Sequence, residues 1–450
     1  MNATPATPNA SPDNKPSKDA LSRDHAKRMR DHAVGIVRTL TKRDYIAYFA
    51  GGCVRDEIMG SVPSDFDVAT NATPDQVQQI FGRSQSLMIG ACFGVVCVHQ
   101  RIDGISHQVE VATFRSDGEY IDGRRPESVA FTSPELDAQR RDFTINGMFY
   151  DPISEKVIDF VDGSKDILSK TIRAIGDPLQ RFAEDRLRLL RAVRFASRFG
   201  FVIEPNTLHA VRNMASRITE VSSERIATEV RKMFSDPRGR IKAITLLDET
   251  GLLEATLPEA ADVIHRDVAT RNRTLQRVGR LDSKSWIAVT VGLLWEDLES
   301  KKLDSSEFAS ILKSRWQLSN QEEQEFRFVF KAQQWLCRAE SSPWSQLQPL
   351  LLSPYIDSAL SLTESLREVS SDIDNQSKSI ARLREVLAQD ISTWNPRPFV
   401  DGSLLMELAI PVGPLYTTLI RLARDAQLDG LIQSREDARQ WIRQLIEQST

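Results

Sequence analysis

Two aspartates, Asp65 and Asp67, sit one residue apart in the run SDFDVAT. Side chains alternate faces along a strand, so the pair is expected to point the same way and to repel. A hard cation resolves that repulsion, since Mg²⁺ takes oxygen ligands and is commonly held by one or two carboxylates together with substrate phosphates. A third acid belongs on a neighbouring strand if two ions are to clamp an attacking and a leaving oxygen, and HQVEVATF supplies Glu110. Upstream, YIAYFAGG followed by VRDEIMG reads as a strand, a Gly51–Gly52 turn and a short helix, leaving backbone N–H groups at a helix start that could hold a triphosphate. A lone GG is a common turn and a lone DxD a common solvated loop. The two lie fourteen residues apart and are followed by a third strand acid, and that combination favours chemistry.

Two further constellations follow. RRDFTINGM sets Arg141 beside Asp142 with Asn146 four residues on, and read alone it is a helix start with charged first-turn residues. RFAEDRLRLLRAVRFASRFGF reads as a helix on which Glu184 and Arg188 form an (i, i+4) pair and Asp185 and Arg188 an (i, i+3) pair. The plain interpretation is a surface salt bridge worth a few tenths of a kcal/mol. The chemical one is sharper. Cytosine and adenine both show an amino donor beside a ring-nitrogen acceptor, which an aspartate paired with an arginine satisfies. Uracil and guanine present the opposite polarity, and a buried mismatch of that kind costs kilocalories. Farther along, Arg191, Arg194 and Arg198 recur at helical spacing, as either a solvated face or a grip on phosphates. From Arg173 to Arg240 there are 14 Lys and Arg against 8 Asp and Glu, in a chain of net charge −4. Such a local basic surplus suits a sequence-tolerant hold on RNA.

The elements that must position these groups fall into an α+β fold, a small mixed-sheet head followed by an all-helical neck, body and tail. The first third alternates short strands and helices, including FGVVCVHQ and HQVEVATF around a turn at Asp103 and Gly104, and TPDQVQQIF with Thr73 as N-cap. From about Pro178 the apolar period is helical, and all seven tryptophans lie after Lys284, expected as helix-packing core. The expected divisions are a disordered tail (1–24), the head (25–170), a neck for base recognition and RNA binding (171–260), a body (261–390) and a helical tail domain (391–450). No apolar run approaches the ~20 residues of a membrane span. The four cysteines show no CxxC pair, which fits a reducing cytoplasm.

The order GG-x-VRD, DxD, EVATFR and RRDFTINGM resembles the nucleotidyltransferases of the DNA polymerase β superfamily, specifically the bacterial-type (class II) tRNA CCA-adding enzymes and poly(A) polymerases. The resemblance runs from about Tyr45 to Phe234. It implies that Asp65 and Asp67 bind two Mg²⁺, that Glu110 is the third catalytic carboxylate and helps activate the primer 3′-hydroxyl, and that Gly51, Gly52 and Arg55 lie by the triphosphate. It further implies that Arg141, Asp142 and Asn146 meet the incoming ribose and phosphates, and that Glu184, Asp185 and Arg188 form the family's base reader. RSDGEYIDGRRPESVAF is expected as a mobile loop of the kind that switches the family from C to A addition. Trp295 stands where some relatives carry the histidine of a metal-dependent hydrolase, so no hydrolase is expected. GSLLMELAIPVGPLYTTLIRLARDAQLDGLIQSREDA resembles the family's tRNA-contacting tail. The implied activity is template-independent CCA addition to the tRNA 3′ end from CTP and ATP, in the cytoplasm, with neither DNA nor a membrane as partner. The alternatives are a poly(A) polymerase or an A-adding half-enzyme.

Overall fold

The computed structural model describes residues 18–90, 94–102, 105–118, 129–300, 302, 304–366 and 373–447. Contacts divide the chain into two units, one comprising Met1–Ala196 and Phe201–Met214, the other Ser197–Gly200 and Ala215–Thr450.

The first unit is built on a seven-stranded sheet. Its strands are β1 (Ala47–Ala50), β2 (Asp67–Thr70), β3 (Ser86–Gly90), β4 (Val95–Ile102), β5 (Ile105–Thr113), β8 (Phe149–Asp151) and β9 (Lys156–Ile158), while β6 (Arg115–Asp117) and β7 (Val129–Phe131) form a separate antiparallel ribbon. The order is β3-β4-β5-β2-β1-β8-β9, and β2 with β5 is the parallel pair in an otherwise antiparallel sheet. Three of the seven strands, β3 and the β8–β9 hairpin, come from segments without strong alternation.

Helix α1 (Lys18–Thr41) begins inside the segment expected as a disordered tail, so residues 18–24 of it are helical, while residues 1–17 lie outside the described residues. It packs against β1, β2 and β5. Its buried positions Ala33, Ile36, Val37 and Leu40 fall on one stripe at three-to-four-residue spacing, and Val68, Val109 and Val111 of the strands it packs against are equally inaccessible. On the other face Phe114 and Phe149 pack edge to face, their centroids 5.6 Å apart, with Ala50, Ala69 and Ala138. Helix α2 (Gly52–Ile58) follows β1 directly, and α3 (Pro74–Phe81) starts with a full capping box between Thr73 and Gln76. Next come α4 (Pro134–Gln139), a 3₁₀ turn (Thr144–Asn146), α5 (Gly163–Leu168), α6 (Pro178–Glu184), α7 (Leu187–Phe199) and α8 (Pro205–Met214).

RRDFTINGM therefore does not start a helix. Arg140 caps the end of α4, and the segment then runs through Asp142 into the 3₁₀ turn. Asp103, Gly104 and residues 119–128 of the expected mobile loop lie outside the described residues, and the β6–β7 ribbon forms that loop's stem.

Every regular element described in the second unit is helical. Trp286, Trp316 and Trp394 are buried and the other four tryptophans half-buried, in keeping with packing. Residues 400–442 contribute a hydrophobic cluster of their own around Leu404, Leu419 and Ile442. Among the described residues no helix is long and apolar enough to cross a membrane, and the three described cysteines are unpaired.

Candidate active site

Asp67 opens β2 and lies in register with Glu110 on the parallel strand β5 and with Ala50 at the end of β1. Residues in register share a face, so both carboxylates leave the same side of the sheet where β1 gives way to Gly51. Asp65 lies outside the strand expected to contain it. β1 runs out at Ala50, opposite Asp67, and pairing with β5 likewise begins only at Asp67–Glu110, although β5 itself runs back to Ile105, so residues 64–66 lie outside the ladder. The alternation survives without the ladder: Phe66 is buried 5.3 Å from the Phe49 ring, whereas Asp65 and Asp67 face outward. Although its side chain reaches the surface, surrounding protein partly strips the Asp67 carboxyl of water and pushes it up to about 6, Asp65 and Glu110 add to the rise, and Arg141 opposes it. A carboxyl crowded by its own sign is one that a bound cation would favour in its charged form. Among the described residues no three His, Cys, Asp or Glu side chains close into a protein-only cage. Asp67 and Glu110 in register offer hard carboxylate oxygens of the kind that fit Mg²⁺, which takes its remaining ligands from waters and substrate phosphates.

Gly51 has φ +72°, a conformation that favours glycine, and its N–H donates to the Met148 carbonyl at 3.3 Å. A Cβ there would sit 3.0 Å from the Arg141 guanidinium, and one on Gly52 would sit 3.6 Å from that of Arg55. The glycine pair thus brings bare backbone up to two cations, a setting for phosphate. The first amides of α2 have no acceptor within the helix.

From here a continuous polar relay crosses the head. Arg55, buried, donates from Nη1 to Asn146 Oδ1 at 2.6 Å and from Nε to Asp56 at 2.8 Å. Asn146 Nδ2 donates to Asp142 Oδ1 at 3.0 Å, and the same oxygen accepts the Phe143 N–H at 2.8 Å. Asp142 Oδ2 takes Nε and Nη2 of Arg191 at 2.8 and 2.5 Å. Burial raises the Asp142 carboxyl, but the Arg191 charge, helped by Asn146, outweighs it and holds the group down to about 2. Both oxygens of Asp142 are thus engaged by protein donors.

Arg141 is held by Asp137 Oδ2 through Nε and Nη2, at 3.2 and 3.0 Å, and lies 5.1 Å over the Phe149 ring. Asp137 also binds Arg140 and the Arg115 N–H at the stem of the loop. Sequence reasoning did not single out Asp137, although its three- and four-residue spacing to the two arginines is the signal for it.

The base-reader motif does not lie on one helix. The chain breaks at Asp185, which caps the end of α6, and α7 starts at Leu187. The Glu184–Arg188 pair forms across the break at 2.8 Å. The Asp185 side chain accepts the Leu187 N–H at 3.1 Å instead of continuing the helix. Arg188 is 7% exposed and also donates to the carbonyls of Arg181 and Arg140. Glu184 has a second cation, Arg181, at 3.0 Å, whose Nη2 reaches the Gln139 carbonyl at 2.6 Å. Arg181 is thus a further residue of the cluster that sequence reasoning missed. The surface-pair interpretation gives way to a buried, multiply anchored guanidinium.

The three arginines beyond have different surroundings. Arg191 binds Asp142, Arg194 is buried with its guanidinium 4.1 Å from the Phe195 ring centroid, and Arg198 is exposed. A solvated face is therefore wrong for the first two. In the helical unit Trp295 packs 5.7 Å from Phe330, while Arg277 holds Glu296 through two 2.8 Å bonds.

Residues 47–173 match a family model described as the poly A polymerase head domain, and residues 200–264 one described as a probable RNA and SrmB-binding site of polymerase A. The chain is 33% identical over 420 residues to a CCA-adding enzyme of Geobacillus sp. (strain WCH70), covering 91% of this chain and 96% of that one. It is 43% identical over 226 residues to the CCA-adding enzyme of Bacillus pumilus (strain SAFR-032), an alignment spanning 50% of this chain and about half (54%) of that relative. Its fold matches the crystal structure of a Bacillus stearothermophilus CCA-adding enzyme in complex with CTP, with a TM-score of 0.71 and 27% identity, covering 93% of this chain and 97% of that one.

Proposed function

The chain belongs to the CCA-adding enzymes, and we propose from this membership and the geometry above that it completes the 3′ end of tRNA with CMP, CMP and AMP drawn from CTP and ATP. The observation that carries the reading is the pairing of two sites in one unit: carboxylates in register at Asp67 and Glu110, and a buried, anchored Arg188 beside Asp185. The first is a place for nucleotidyl transfer. The second is a protein surface that reads a base edge without a nucleic-acid template.

In this reading the tRNA 3′-hydroxyl attacks the α-phosphorus of the bound nucleotide in line, a new P–O bond forms, and pyrophosphate leaves. Glu110 helps activate the hydroxyl. Two Mg²⁺, held by Asp65 and Asp67, would neutralise the phosphate charge and hold the attacking and leaving oxygens when bound. Gly51 and Gly52 admit the triphosphate to the backbone beside Arg55 and Arg141, where positive charge is already fixed and needs no rearrangement. Asp142 and Asn146 form the sugar-side wall, and Glu184 aims Arg188. Arg198, exposed at the end of α7, serves the tRNA backbone. We place the work in the cytoplasm, where tRNA and its nucleotides meet.

Pyrophosphate release from CTP and ATP in the presence of tRNA lacking its 3′ terminus tests this chemistry. It is expected to require Mg²⁺ and to vanish in Asp67→Ala with the circular dichroism spectrum retained. Near-normal turnover in Asp67→Ala would remove the carboxylate assignment.

A further inference from the structure

Arg191 lies among arginines that suggest a phosphate grip, yet its guanidinium is turned inward. It closes the relay Arg55–Asn146–Asp142–Arg191, and the Phe195 ring lies 5.5 Å from Arg55 at one end and 5.2 Å from Arg191 at the other. One aromatic ring thus braces both ends. Asp142 spends Oδ1 on Phe143 N–H and Asn146, and Oδ2 on Arg191, so the acceptor positions of an ionised carboxylate are filled by the protein. Asp142 then acts on a nucleotide through what it holds. Asn146 is fixed from both sides, its carbonyl by Arg55 and its amide by Asp142.

We infer that Arg191 is a positioning residue of the nucleotide site, whose bond to Asp142 fixes the Asn146 wall, and that it is not an RNA-phosphate contact. The inference rests on the function proposed above and deepens it. Without Arg191 the Asp142 carboxylate would face Arg188 from α7, Asn146 and the Phe143 N–H, with Arg55 one residue removed behind Asn146. Its strongest charge partner would be gone, and the wall would become sensitive to protonation.

The test is a steady-state comparison of wild type with Arg191→Met, Arg191→Lys and the double variant Arg191→Met/Asp142→Asn on the full chain. CTP, ATP and tRNA lacking its 3′ terminus are varied in turn. Losing a hydrogen-bonded charge beside a buried carboxylate is expected to raise the KM for CTP and ATP about ten- to hundredfold in Arg191→Met. The KM for tRNA and its salt dependence stay at the wild-type value. The nucleotide KM becomes pH-dependent in the acidic part of the assay range, which a simply loosened fold would not produce. Lysine restores part of the loss by returning the charge. The double variant outperforms Arg191→Met because no unpaired carboxylate remains. A rise confined to the KM for tRNA with a shallower salt slope, or unchanged nucleotide KM values, overturns the inference. Should the methionine variant not fold, the lysine variant is judged by the same two KM values. Failure of the wild type to extend tRNA at all would count against the proposed function and is distinguishable from either result.

Discussion

Removing the Arg188 guanidinium separates base choice from folding, because the structure shows what else it holds. In Arg188→Met the carbonyls of Arg181 and Arg140 lose a donor, while Glu184 keeps Arg181 at 3.0 Å and is left with no unpaired charge. Two neutral acceptors at about 1 kcal/mol each predict a loss of about 2 kcal/mol in stability, which a chain of this size survives. Base choice responds differently. Exchanging C for U reverses both polar contacts at the base edge, and at about 1–3 kcal/mol per reversed contact the wild type discriminates by roughly 30- to 10⁴-fold. With only Asp185 left to read, about half of that free energy remains, or roughly five- to hundredfold. Single-turnover incorporation of each of the four nucleoside triphosphates onto tRNA, compared as rate over KM, measures it. UTP and GTP are expected to gain relative to CTP and ATP. A uniform loss for all four with the C/A preference intact would show that Arg188 is a structural pin and not a reader.

Gly51→Ala places a side chain at φ +72° with its Cβ 3.0 Å from the Arg141 guanidinium. With ψ −123° that backbone lies outside the left-handed helical well and costs about 1–3 kcal/mol, and the displaced arginine is expected to raise the KM for both triphosphates, so thermal melting and kinetics should shift together. Asp142 makes stability depend on pH in a defined direction. Its carboxyl is held down to about 2 from an ordinary value of 3.8, so the stabilisation is complete above the ordinary value and is lost as the pH falls through the lower one. The shift is worth on the order of 2 kcal/mol. Asp142→Asn should therefore differ from wild type in urea midpoint near neutrality by an amount that shrinks as the pH is lowered; a constant gap would contradict the Arg191 pairing.

Much of the head was legible because chemistry and local pattern coincide there. Thr73 as N-cap of TPDQVQQIF marks the start of α3, and the structure adds the reciprocal Gln76 bond. The break at Asp185 was not legible, since RFAEDRLRLLRAVRF keeps a helical apolar period on both sides and only tertiary bonds from Arg188 to the Arg140 and Arg181 carbonyls reveal how the two helices meet. Asp65 was misplaced into β2 for a related reason. Alternation tells which face a residue takes but not where the ladder stops, and pairing with both β1 and β5 begins only at Asp67 although β5 continues back to Ile105. The inward turn of Arg191 likewise depends on Asp142, 49 residues away, and periodicity carries no information about a bond of that separation.

The most direct measurement is extension of three tRNA transcripts, ending at the discriminator base, at C and at CC, with CTP and ATP supplied singly and together. The first is expected to grow by C, C and A and then stop, with CTP alone carrying it to CC and ATP alone extending only the transcript already ending in CC. Unbounded adenylate tails on any of the three would contradict that expectation, and growth of the CC-ended transcript alone would leave an enzyme that adds the last nucleotide only.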